Sequence, residues 1–518
     1  MRRLRRLLWG GAAAAVAGIT VLTVGGSAAT GTQAPETVET AEGPVRGTVT
    51  DGHRSFQGIP YAAPPVGERR WRPPQPVKTW EEPRDATRPR ASCPQLEGDQ
   101  AGVPSKDEDC LYLNVTAPAG ADKENLPVIV FVHGGGIYGA GSQYDPARMA
   151  ARGDAVVVTV NYRLGAFGFL SHPGLDDGGT ANLGLADQQA ALAWAKDNAA
   201  AFGGDAGNIT LMGESSGGFS ACANLTSPAA KGLFDKAILE SAPCGNMKGI
   251  PRAQADKQGQ KLAAKLGCEG QHVAACLREV PVSDVLEAYG RQPTAELITD
   301  DPLLPTAPSQ ALADGAFHRV PVLHGVNRDE QRLLIGGAEA LGGEPITRKQ
   351  YPGLLKKSFK ENAAEVEKEY PLSDYGSPSE ALAAAQTDHE YATGLLDTSA
   401  AFSRHVPTYT FEFADPKAPW FAGYDKPSFP TGAFHMAELN YLFAAEVFDG
   451  KDAAQRGLGD QMIDYWTTFA RDGEPTGGGL PGWQPYNGSY VQALAPGHTG
   501  RTDFGTAHKY AFWKHLEG

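Results

Sequence analysis

The stretch Asn208-Ile-Thr-Leu-Met-Gly-Glu-Ser-Ser-Gly-Gly-Phe-Ser220 limits the possible folds more than any other part of the chain. An apolar run ending in Leu211 and Met212 enters a Gly-x-Ser-x-Gly turn, and Phe219, Ala221, Cys222 and Leu225 continue at helical spacing. The pentad alone says little, because a chain with 63 glycines and 21 serines in 518 residues has roughly one chance in three of holding one by accident. Its order of strand, turn and helix says more. Such a turn forces the central Ser215 into strained dihedrals, so that its hydroxyl stands clear of the sheet, and it tolerates only small residues at Gly213 and Gly217. We read it as a nucleophile elbow, with the Ser216 N–H pointing where an oxyanion would form.

Strand-like apolar runs occur at Leu126–Val132, Ala155–Asn161, Ile209–Met212, Lys236–Ser241, Val320–Val326 and Thr408–Phe413. Helical or long irregular segments separate them, the pattern of a mostly parallel sheet covered on both faces. One helix is predicted over residues 184–202, with Leu185, Leu192, Ala195, Ala199 and Phe202 on one face and Phe-Gly-Gly-Asp205 as its stop. No repeat, long linker or composition shift divides the chain. Residues 30–518 therefore read as one α/β domain with large insertions.

The first 29 residues stand apart. Arg2, Arg3, Arg5 and Arg6 precede an apolar stretch from Leu7 to Val24, and Ser27-Ala28-Ala29 offers a cleavage site, so the segment reads as a signal peptide. A spanning anchor is the competing reading, but Gly10, Gly11, Gly18 and Thr20 dilute the run. No stable membrane anchor is expected, and the arginine pairs also suit twin-arginine export. The mature chain would carry 42 basic and 60 acidic residues, a formal charge of −18. Acidity without a basic stripe argues against a nucleic-acid partner and suits solubility in a secreted protein. The six cysteines lack Cys-x-x-Cys spacing, which favours structural bridges over zinc or redox chemistry; no metal or cofactor is expected. Cys93 and Cys110 bracket one polar loop and Cys268 and Cys276 another, leaving Cys222 and Cys244.

In an open parallel sheet, chemistry gathers at the carboxyl ends of the strands. After Leu126–Val132 comes His133-Gly134-Gly135-Gly136, where glycines let backbone N–H groups approach a substrate oxygen. After Val320–Val326 comes Asn327-Arg328-Asp329-Glu330, where either acid could complete a Ser, acid, His order; spacing alone does not choose between them. The histidines beyond Glu330 are His389, His405, His435, His498, His508 and His515. His405 precedes the last good strand, and the final three fall in a tail that reads as surface structure. His435 follows Thr408–Phe413 by a connection long enough to reach back over the sheet, which makes it the best candidate.

Together these stretches resemble the type-B carboxylesterase/cholinesterase family of α/β-hydrolases from about Val45 to Tyr486. The resemblance is carried by Phe56-Gln-Gly-Ile-Pro-Tyr61, Glu108-Asp-Cys-Leu-Tyr-Leu-Asn114, the His133 to Gly136 run, Asn161-Tyr-Arg163 and Phe202-Gly-Gly-Asp205. Gly213 to Gly217, Gly325-Val-Asn-Arg-Asp-Glu330 and His435 with Glu438 complete it in the same order. It implies an α/β-hydrolase fold and a serine carboxylesterase acting on small-molecule esters. Ser215 would be the nucleophile, His435 the base and Glu330 the acid that orients it. Gly135, Gly136 and Ser216 would supply the oxyanion N–H groups, with Glu214 and Ser241 supporting the triad from outside. The resemblance further implies Cys93–Cys110 and Cys268–Cys276 bridges; Cys222–Cys244 then follows by elimination. Gln331 stands where the family usually has glycine, and Ser216 where alanine is commonest. Amide or thioester cleavage shares the triad chemistry, and non-enzymatic relatives keep the scaffold while losing triad members. Cholinesterase activity is disfavoured, because Cys93 to Cys110 contains no Trp, Tyr or Phe for a cation site.

Overall fold

The computed structural model describes residues 34–50, 52–96, 103–120, 124–136, 138–175, 179–290, 297–444 and 447–517. The expected signal peptide lies outside them. In chain order the strands are β1 (Ala34–Glu39), β2 (Pro44–Val49), β3 (His53–Pro60), β4 (Arg84–Asp85), β5 (Tyr112–Pro118), β6 (Leu126–Val132), β7 (Val156–Val160) and β8 (Gly204–Glu214). They continue with β9 (Lys236–Glu240), β10 (Ile250–Pro251), β11 (Ile298–Thr299), β12 (Val322–Asn327), β13 (Thr408–Phe413), β14 (Val491–Ala495) and β15 (His498–Thr502).

A 13-stranded sheet runs β1-β2-β3-β5-β7-β6-β8-β9-β12-β13-β14-β15, with β4 beside β2. Every neighbouring pair from β7 through β14 is parallel, and antiparallel pairs close the sheet at both ends. The apolar runs lack alternation because both faces are covered. Val128, Val130 and Val132 of β6 enter one buried cluster, while Ile129 and Phe131 enter the other; Leu239 of β9 and its neighbour Ile238 divide in the same way. Each such side chain contributes roughly 1.5–3 kcal/mol by leaving water.

The first face is closed by the helices Leu183–Asn198 and Ser216–Thr226, through Leu185, Leu192, Ala221 and Leu225. The helix predicted over 184–202 ends at Asn198; Ala199–Phe202 tightens to a 3₁₀ turn before Gly203. The second face is closed by the helix Ala453–Asp472, through Met462, Ile463, Trp466 and Phe469. Its start is set by a reciprocal cap, in which Asp452 Oδ1 accepts the Gln455 N–H and Gln455 Oε1 accepts the Asp452 N–H, each at 2.9 Å.

All six cysteines are bridged, as Cys93–Cys110, Cys222–Cys244 and Cys268–Cys276. No helix of the described residues is long and apolar enough to cross a membrane. The parallel strands deliver their carboxyl ends to one edge, where β8 leads into Ser215, β6 into His133, β9 into Ser241 and β12 into Arg328.

Candidate active site

At the end of β8 the backbone of Ser215 has φ 53° and ψ −123°, a conformation that costs a residue with a side chain about 1–3 kcal/mol. It is held from both sides. The Ser215 N–H donates to the Glu240 carbonyl on β9 at 2.9 Å, and the Ser215 carbonyl accepts the Phe219 N–H at 2.8 Å. Close approach explains the flanking glycines: a Cβ on Gly217 would lie 2.0 Å from the Val132 oxygen, and one on Gly213 would lie 2.3 Å from the Gly217 oxygen.

The connection after β13 returns over the sheet and brings His435 Nε2 to 2.7 Å from Ser215 Oγ. On the other side of the ring, His435 Nδ1 lies 2.6 Å from Glu330 Oε2. The second Glu330 oxygen accepts the Ser241 hydroxyl at 2.7 Å and the Asn327 N–H at 2.8 Å, so the carboxylate is fixed before it meets the imidazole. Asp329 faces elsewhere: it pairs with Arg332 at 3.1 Å and accepts the Ala433 N–H at 2.9 Å. That bond steadies the chain two residues before His435. Gln331, which stands at the expected glycine position, is held in place, its N–H donating to Thr387 Oγ1 at 3.0 Å and its amide to Glu390.

The glycine run after β6 packs against the elbow. Gly135 and Gly136 have φ of 97° and 72°, a region open to glycine at little cost. Among the described residues the N–H groups of Gly135 and Ser216 have no hydrogen-bond partner, whereas the Gly136 N–H donates to Ser216 Oγ at 3.0 Å. A cavity of about 270 Å³ opens beside them, walled by Gly136, Tyr162, Phe169, Ser216, Phe219, Met247, Lys248 and Leu297. Across the triad, the Tyr391 ring stands 5.6 Å from the imidazole. It belongs to the wide helical turn Asp388–Ala392, which the sequence pattern did not signal.

Buried carboxyls surround this arrangement. Glu214 Oε1 is 3.4 Å from His435 Nε2; Glu438 accepts the Asn327 side-chain amide, and Glu240 accepts the Trp466 indole at 2.9 Å. Burial, together with mutual repulsion, pushes Glu240 and Glu438 well above the usual carboxylate range. Burial likewise raises Glu214 to about 7, against the pull of His435. For His435 burial opposes the charge, but Glu330 and then Glu214 outweigh it and raise the imidazole to about 9. Glu330 leads because it alone of these carboxyls is bonded to the ring, at 2.6 Å. His133 is different: burial drives it down to about 4, so it is a neutral structural ring, bonded to the Gly134 carbonyl. The described residues contain no group of His, Cys, Asp or Glu side chains able to hold a metal ion.

Residues 34–513 match the model of the carboxylesterase family. The chain belongs to the carboxylesterase family. The para-nitrobenzyl esterase of Bacillus subtilis is 37% identical over 466 residues, covering 85% of this chain and 90% of its own. A medium-chain fatty acyl-CoA hydrolase precursor of Anas platyrhynchos is 35% identical over 91% of this chain and 90% of its own. Among solved structures, a thermophilic PNB esterase superposes with a TM-score of 0.78 at 32% identity, over 92% of this chain and 99% of that one. This member of the carboxylesterase family accordingly has the α/β-hydrolase fold and is a carboxylic-ester hydrolase.

One expectation for this carboxylesterase needs correction. His508, read from sequence as part of a surface tail, is 5% exposed. Its Nδ1 lies 2.5 Å from Asp388 and its Nε2 2.8 Å from Glu412, and Glu412 also pairs with Arg328 at 2.9 Å. The C-terminal segment is thereby tied to the loop that carries Glu330. Nothing local to His508 marks its ring for burial, because both partners lie about a hundred residues away. Glu438 was visible in sequence only as part of the motif beginning at His435, and Glu240 gave no signal of its place beneath the elbow.

Proposed function

We propose that the enzyme cleaves carboxylic esters through an acyl-enzyme on Ser215, with His435 as general base and acid and Glu330 as the group that orients it. The observation that carries this reading is the unbroken line from Ser215 Oγ to His435 Nε2 at 2.7 Å and from His435 Nδ1 to Glu330 Oε2 at 2.6 Å. An alkyl hydroxyl is a poor nucleophile at neutral pH, so the imidazole removes its proton as the oxygen attacks the ester carbonyl. Glu330 holds the tautomer and stabilises the imidazolium. The N–H groups of Gly135, Gly136 and Ser216 receive the charge that develops on the carbonyl oxygen; losing one such donor typically costs about 3–4 kcal/mol of barrier. His435 then protonates the departing alcohol, and water repeats the sequence on the acyl-enzyme. No cofactor enters.

Ser215→Ala tests the reading. The folded variant should lose hydrolysis of a short-chain aryl ester to below about a thousandth of the parent rate. Retention of more than that by a variant with an unchanged circular dichroism spectrum refutes Ser215 as nucleophile. Thioester cleavage is the second reading, favoured by the acyl-CoA hydrolase name of the duck relative; matched oxygen and sulfur esters of one acid separate the two. We also infer that residues 1–29 direct export of a single mature domain and are removed near Ala29. Three disulfides suit an oxidising compartment. N-terminal sequencing of protein from culture medium checks it; an intact Met1 there refutes cleavage.

A further inference from the structure

The acyl-enzyme reading requires three backbone donors, yet one of them is already engaged. The Gly136 N–H donates to the Ser216 hydroxyl oxygen at 3.0 Å. Ser216 sits at the first position of the helix Ser216–Thr226 and lines the cavity beside the elbow. Tyr162, which shares the cavity wall with Ser216, donates to the His133 carbonyl at 2.7 Å. The Ser216 oxygen accordingly offers a lone pair to the Gly136 N–H. An alanine at this position would leave the Gly136 N–H open to the cavity.

We propose that the Ser216 hydroxyl occupies the Gly136 oxyanion donor in the resting enzyme and has to surrender it to the substrate oxygen, so that this side chain restrains turnover. The inference rests on the acyl-enzyme reading above. When Ser215 Oγ bonds to the carbonyl carbon, the π pair moves onto the carbonyl oxygen. An oxygen bearing that charge is a far better acceptor than a neutral hydroxyl, so it takes the N–H and the Ser216 side chain turns away. Serine rotamers exchange in picoseconds to nanoseconds, so the effect falls on the equilibrium and produces no slow step. Breaking a neutral hydrogen bond of ordinary net strength corresponds to about a three- to tenfold reduction in rate.

The test compares Ser216→Ala with the parent enzyme on p-nitrophenyl butyrate and with a trifluoromethyl ketone, whose adduct places an oxyanion in the same hole. We expect kcat/KM to rise about three- to tenfold and the ketone to bind tighter by a similar factor. A variant no better than the parent in both measurements overturns the proposal. A crystal structure of the parent enzyme with the ketone gives a second check that does not depend on the variant folding. Ser216 Oγ should have moved beyond about 3.5 Å from the Gly136 nitrogen; if it keeps its 3.0 Å contact, the proposal is wrong. Ser215→Ala run alongside keeps the two ideas separate. Activity in that variant would defeat the acyl-enzyme reading itself, whereas an inactive Ser215→Ala with an unimproved Ser216→Ala defeats only this inference.

Discussion

His435 and Glu330 are joined twice: side chain to side chain at 2.6 Å, and through the His435 N–H donating to the Glu330 carbonyl at 3.2 Å. The second contact ties the two loops at the very residues whose side chains meet, so ring and carboxylate shift together if either loop moves. Asp329, one residue earlier, supports the same junction through the Ala433 N–H without touching the ring.

This arrangement separates the neighbouring acids. Glu330→Gln keeps the shape but cannot stabilise an imidazolium, and turnover should fall by roughly two to four orders of magnitude with little change in thermal stability. Asp329→Asn should lose much less. Steady-state rates for both variants decide the matter, and the reverse ranking would move the acid role to Asp329.

The pH profile gives a further expectation. Only neutral His435 can accept the Ser215 proton, so kcat/KM should rise with pH as the imidazolium deprotonates. Glu330 holds that transition above the ordinary histidine value of about 6.5 and as high as about 9. Glu330→Gln should shift the ascending limb to lower pH. Profiles that overlay would show that Glu330 does not govern the imidazole.

His508 predicts stability. Asp388 and Glu412 raise it to about 10 against the effect of burial, and its bond helps hold Glu412 near 2. The raised imidazole stabilises the fold fully below its unfolded value of about 6.5, and that contribution disappears as pH climbs toward about 10. The depressed carboxyl acts in the other direction, its contribution fading as pH falls from about 4.3 toward about 2. Replacing His508 by Gln leaves buried Asp388 without its cation and Glu412 with Arg328 alone, and should cost about 3–5 kcal/mol near pH 6. Urea denaturation should find a narrower gap between variant and parent at pH 9 than at pH 6; an equal gap would refute the clamp.

The bridges are checked by peptide mapping without reduction, which should recover Cys93–Cys110, Cys222–Cys244 and Cys268–Cys276 with no free thiol. Replacing Cys222 and Cys244 together by serine should destabilise the protein by roughly 2–4 kcal/mol. Cys244 also opens the turn that leads to Met247, a wall of the cavity.

The sheet and the elbow were legible in sequence because their signals are local: apolar runs of strand length and small residues where two backbones meet. The central runs matched β6, β8, β9, β12 and β13 to within a few residues, apart from β8, which begins at Gly204, ahead of its apolar run. The residues implied by the resemblance are brought together, with Ser241 on Glu330 and Glu214 beside His435. What stayed hidden depends on distant partners. Burial of His508 depends on Asp388 and Glu412, and the wide turn that presents Tyr391 depends on packing against the Glu330 loop. The bond from Gly136 to Ser216 spans 80 residues, and no spacing rule would have found it.

Ser215 and His435 meet across 220 positions of chain, and Glu330 and His435 across 105. Under the proposed mechanism, ester cleavage therefore reports on late assembly: a chain emerging from its N-terminus stays chemically silent until the connection beyond β13 has docked. An enzyme threaded unfolded through a membrane would carry no hydrolytic activity on the side it leaves. A fluorogenic ester added during refolding would time the arrival of that last connection, separately from the formation of the sheet beneath it.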